Sequence, residues 1–140
     1  MSLIARIKGK AEEGWLPGEG VYPSLFSLGG HLAGLNGKSG VFTVWHLGVR
    51  PQWLRVGAGA DLAVCLKALA EALKDSPFRG NGGLFAAWAF LAPGRCPGIV
   101  TYLCTRLHPV SQDMAVAGET AWSTVPAPVA FPLPPGTTGP

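Results

Sequence analysis

Residues 40–57 read GVFTVWHLGVRPQWLRVG, and the way this stretch folds decides the rest of the chain. Gly40 to Leu47 is rich in β-branched and aromatic types and predicts a strand. Gly48 to Gln52, with Arg50-Pro51 inside it, is turn chemistry, because proline fixes φ and cannot donate to a ladder. Trp53 to Gly57 then returns as a second strand. The simplest pairing of the two is an antiparallel hairpin.

Downstream, Ala58-Gly59-Ala60 leads into Asp61, whose carboxylate suits the N-cap of a helix. Leu62, Cys65, Leu66, Leu69 and Leu73 recur at helical spacing on one face, with Lys67, Glu71 and Lys74 largely elsewhere. Pro77 and Gly80–Gly83 end that helix. Leu84 to Leu91 follows as a nearly continuous apolar run, which reads as a central strand buried on both faces. Pro97 fits the first turn of another helix, Ile99, Val100, Leu103, Cys104 and Leu107 keep helical spacing, and Pro109 closes it. The fold class this predicts is α+β: a small three-stranded, mainly antiparallel sheet flanked by two helices, spanning residues 40–112.

On either side the sequence changes character. Residues 1–39 hold glycines and prolines too often for a long helix or strand and read as an irregular apolar arm. Its anchors include Trp15, Leu16, Tyr22, Leu25, Phe26, Leu28, Leu32 and Leu35. Leaving such large side chains in water costs roughly 1.5–3 kcal/mol each, so the arm packs on the domain or on a neighbour. Residues 113–140 read as a linker and a proline-rich tail, extended and either disordered or laid along a partner through Val129, Phe131 and Leu133.

Composition narrows the function classes. The 140 residues suit one domain, and 48% are hydrophobic while only 14% are charged. So few charges favour a chain that works in contact with other protein subunits. The net charge of +3 comes from scattered basic groups apart from Arg6, Lys8 and Lys10, which is not the clustered stripe of a nucleic-acid binder. Contact with DNA is therefore not indicated by charge clustering. The longest apolar run has nine residues, too short to span a bilayer, and no apolar stretch follows the N-terminal charges as in a signal peptide. The expected location is intracellular at synthesis. Cys65, Cys96 and Cys104 form no metal or disulfide pattern, Cys65 and Cys104 sit among apolar helix positions and read as buried thiols, and His31, His46 and His108 are far apart in sequence, so neither metal nor cofactor is expected. Trp45, Trp53 and Trp88 read as core.

The order strand, strand, helix, strand, helix resembles that of the GIY-YIG nuclease domain, over about half the chain. Gly40-Val41-Phe42 stands where that family has its first tripeptide and Arg55-Val56-Gly57 where the second falls, with twelve residues between them. Tyr102 to Pro109 is similar to the family's last helix. In active relatives that helix supplies a glutamate that holds a metal, the tripeptides supply two tyrosines, and the first helix supplies an arginine. The resemblance places Val100, Phe42, Arg55 and Lys67 at those positions. Valine cannot ligate a hard cation and phenylalanine has no hydroxyl, so the resemblance implies a degenerate, non-catalytic domain. Arg55, Lys67, Arg106 and His108 remain as candidate phosphate-binding groups.

These readings lead to a structural or adaptor subunit of a large assembly, with a phage virion component of the neck, tail or baseplate ranked first. Trp15, Tyr22, Phe26, Val129, Phe131 and Leu133 are its expected partner-binding residues. The alternative is a GIY-YIG-type DNA-processing nuclease or a DNA-binding remnant of one.

Overall fold

A computed structural model describes residues 15–16, 22–46, 52–74, 84–110 and 127–131. Within it the expected hairpin forms. Strand β1 (Gly40–His46) pairs antiparallel with β2 (Gln52–Gly59), from Gly40 opposite Gly59 to His46 opposite Gln52. β2 outruns its expected span at both ends, because buried Ala58 opposite Val41 carries the ladder through residues of low intrinsic strand preference.

Strand β3 (Leu84–Phe90) pairs antiparallel with the other side of β1, giving the order β2-β1-β3. The central strand is therefore β1. The expectation that β3 is central is corrected, although its interior residues are buried on both faces. The burial has another source: segments from before the sheet occupy the outer edge of β3. Leu16 exchanges two backbone hydrogen bonds with Trp88 (2.6 and 3.1 Å), and the Pro23 carbonyl accepts from the Ala86 amide at 3.1 Å. Edge groups are thus satisfied without a full fourth strand.

Strand alternation divides the interior into two cores. Phe42, Val44, Ala86 and Trp88 face one way and pack with Leu25, Leu28 and Leu35, the last of these on helix α1 (His31–Leu35), and with helix α2 (Leu62–Leu73). Val41, Trp45, Val56, Ala87 and Ala89 face the other way and pack with helix α3 (Cys96–Leu107), Trp15 and Phe131. The Asp61 carboxylate caps α2 as expected, accepting from the amides of Ala63 (3.0 Å) and Val64 (3.4 Å). All five residues of the predicted apolar face are buried. In α3, Pro97 lies in the first turn, and the helix ends on His108 in the left-handed region (φ 51°, ψ 59°), whose amide donates to the Cys104 carbonyl at 3.0 Å. Pro109 then prevents continuation.

A register shift between Val44 and Trp45 leaves Leu54 without a cross-strand partner, since Val44 faces Arg55 and Trp45 faces Trp53. Such a bulge rotates the strand locally. Leu54 and Arg55 consequently both serve the α2 side, while Trp53 leans on Trp45 with ring centroids 5.2 Å apart on the α3 side.

The sequence left open whether the N-terminal arm packs on the domain or on a neighbour. In the described residues it packs on the domain: Trp15, Leu25, Leu28 and Leu35 are all buried within this chain. Arg6, Lys8, Lys10, Leu133, most of the turn after β1 and the glycines at 80–83 lie outside the described residues. Among the described residues, no helix is long and apolar enough to cross a membrane.

Candidate functional site

Two features determine what this surface can do: a groove beside α2 and the dispersal of the polar groups singled out above. The groove begins with Ser24, whose hydroxyl accepts from the Phe26 amide at 3.1 Å and starts a single 3-10 turn, Leu25–Ser27. Gly29, at φ +44°, lets the chain reverse into α1, where the His31 amide donates to the Leu28 carbonyl at 2.8 Å. Gly37, at φ +76°, ends α1, and the Lys38 carbonyl accepts from the Leu62 amide at 2.8 Å, tying this segment to the start of α2.

Between the turn, α1 and α2 lies an open groove of about 530 Å³. Leu25, Phe26, Leu28, Gly29, Leu32 and Ala70 line it, with Lys67, Glu71 and Lys74 at its rim. Lys74 and Glu71 form an exposed ion pair at 2.5 Å. At that exposure the pair contributes at most about 1 kcal/mol, so it shapes the rim rather than holding the fold. An apolar floor with a charged rim can accept an apolar side chain or a short amphipathic segment. Its lining residues include no serine, threonine, cysteine or histidine.

The four candidate phosphate ligands do not converge. Arg55 is buried on the α2 side of β2, only 4% exposed. Lys67 is exposed on α2. Arg106 and His108 lie at the end of α3, across the sheet from Lys67. Arg106 donates to the Tyr102 hydroxyl at 2.8 Å, and its guanidinium carbon stands 5.6 Å from that ring's centroid, so this cation is already engaged with its own helix.

The positions taken from the nuclease resemblance also separate. Phe42 is fully buried on the α2 side and Arg55 shares that side, whereas Val100 is buried on the α3 side. The position matched to the metal-holding glutamate and the one matched to the first phenol therefore have the sheet between them. Among the described residues, no three His, Cys, Asp or Glu side chains come together as a metal would require. None of the three cysteines is joined to another in a disulfide. Cys96 donates to the Ala92 carbonyl at 3.5 Å, and burial pushes its thiol up while neighbouring Arg95 pulls the other way, which suits a structural thiol rather than a nucleophile.

The expected partner-binding side chains have several fates. Trp15 is fully buried and Phe131 is 9% exposed, and they meet edge to face with centroids 5.7 Å apart. Both side chains are therefore buried within this chain. Tyr22 is half-buried, edge-on to Trp45 at 5.7 Å. Phe26 is half-buried and lines the groove, and Val129 remains 45% exposed. Sequence reasoning missed Gly98. A Cβ there would strike Val129 Cγ2 and stand 2.7 Å from the Ala127 carbonyl oxygen, so the segment 127–131 crosses α3 at a position only glycine permits. A glycine in the first turn of a helix after Pro97 was the available signal.

No protein-family model matches this chain, and searches of curated proteins and of solved structures give no match.

Proposed function

We propose that this chain is a non-catalytic structural or adaptor subunit of a large assembly, and that a phage virion component of the neck, tail or baseplate is the class that suits it best. The observation that carries the non-catalytic part is the separation of Phe42 and Val100 by the sheet, both as buried apolar side chains. Hydrolysis of a phosphodiester needs an activated water, a cation and charge stabilisation at one point, and among the described residues no His, Cys, Asp or Glu cluster gathers to hold such a cation. The contact surface in this reading is the groove lined by Phe26, Leu28, Leu32 and Ala70, with Val64, Phe90, Val110 and Val129 as exposed apolar residues around the molecule. Low overall charge supports a working life in contact with other subunits.

The alternative, a GIY-YIG-type nuclease or a DNA-binding remnant, draws support from the element order. It is weakened by the dispersal of Arg55, Lys67, Arg106 and His108.

The test is hydrogen exchange on the purified chain, alone and then with its native neighbours. The assembly reading expects amides of residues 25–35 and 62–74 to gain protection in the complex. Metal-dependent cleavage of DNA by the purified chain, abolished by a chelator, would overturn it.

A further inference from the structure

We propose that the surface formed by Gly98 of α3 and Trp15 is a docking site for an extended Val-x-Phe segment, and that a second copy of this chain supplies that segment in trans. This deepens the assembly reading and rests on it.

The segment's own copy shows how the site is read. The Val129 amide donates to the Gly98 carbonyl at 2.9 Å, the Val129 side chain lies against the bare Cα of Gly98, and Phe131 closes on the edge of Trp15. One backbone hydrogen bond fixes the segment's position, the missing Cβ admits it, and an aromatic anchor at residue i+2 fills the core. That is a short-motif recognition mode: main-chain bonding supplies affinity and a pocket for alternate side chains supplies specificity.

The attachment is light. Residues 127–130 are all exposed, and only Phe131 is buried. Nineteen residues, 108–126, separate α3 from the segment, a contour of about 65 Å at full extension. That length reaches the site of its own chain or of an adjacent copy. Short flexible linkers in general present a segment at an effective concentration of about a millimolar, so copies brought to that concentration compete with a segment's own chain. Exchange between copies then involves no new contact and no loss of the old one, as in domain swapping.

The experiment mixes two full-length variants. In the first, Val129→Asp with Phe131→Ala disables the segment and leaves the site. In the second, Gly98→Val blocks the site and leaves the segment. Each alone is expected to sediment as a monomer, and the mixture at about millimolar chain as a one-to-one dimer. A mixture that stays monomeric, with the helical circular dichroism of both chains intact, overturns the proposal. Where Gly98→Val does not fold, a synthetic peptide of residues 125–133 is titrated into the first variant while tryptophan fluorescence is followed. A saturable change supports the site, and its absence overturns it. Both arms use only copies of this chain, so their failure leaves the contact with other subunits to the exchange experiment above.

Discussion

Trp15 and Phe131 meet edge to face, 5.7 Å between ring centroids, and so bring a segment from before the sheet against one from after α3. The pair belongs to the second core, with residues of the sheet and of α3. Trp15→Ala is expected to cost about 3–5 kcal/mol, the range for a fully buried aromatic. A double-mutant cycle with Phe131→Ala, read by urea denaturation, is expected to give a coupling of about 0.5–1.5 kcal/mol. Additivity of the two losses would show that the rings do not interact.

Two glycines are held by contact rather than by backbone angle, and they differ in what a methyl group would strike. At Gly40 a Cβ would collide with the Ala89 carbonyl oxygen, part of the neighbouring strand's backbone. Gly40→Ala is expected to destabilise by about 2 kcal/mol or more, since the β1–β3 ladder must shift. At Gly98 the obstacle is the segment 127–131, which can lift away. Gly98→Ala is therefore expected to cost less, while raising hydrogen exchange at Val129. Equal losses at the two sites would contradict this reading.

How much of this was legible beforehand follows from which interactions are local. The α2 face, its Asp61 cap and the hairpin depend on spacing within a few residues, and each is readable directly. The central position of β1 was not. A continuous apolar run reports burial on both faces of β3 but is silent about its outer edge, which Leu16 and Pro23 occupy from far away in sequence. The bulge at Leu54 is equally hidden, because WLRV alternates no differently from an unbulged strand, yet it moves Arg55 to the α2 side. The candidate site suffered most. Trp15, Phe26 and Phe131 all read as apolar anchors in irregular sequence, and only tertiary packing separates the two that are buried from the one that lines a groove.

Thr43 sits at the centre of β1, fully buried, and among the described residues its hydroxyl has no hydrogen-bond partner. Its cross-strand neighbours, Val56 and Ala87, are apolar. A hydroxyl stripped of water without compensation costs about 1–3 kcal/mol, and valine occupies nearly the same volume with a strand-compatible shape. Thr43→Val is expected to raise the urea midpoint, corresponding to a gain of about 1 kcal/mol. A lower midpoint would mean that the hydroxyl is doing something the fold requires.

Cys96 gives the chain a pH dependence of definite sign. Burial raises its thiol from the ordinary value of 9.0, with Arg95 opposing, so the folded state keeps a proton that the unfolded chain releases. The stabilising contribution is fully present below that ordinary value and is lost as pH rises through the folded one. Substitution by alanine removes the titrating group but also leaves a small cavity at the start of α3. The stability difference between the natural chain and Cys96→Ala is therefore expected to be largest near pH 7 and to shrink steadily above pH 9.0, measured by urea denaturation under reducing conditions. A difference that stays flat across that range would show that the thiol is as well solvated in the folded protein as in the unfolded chain.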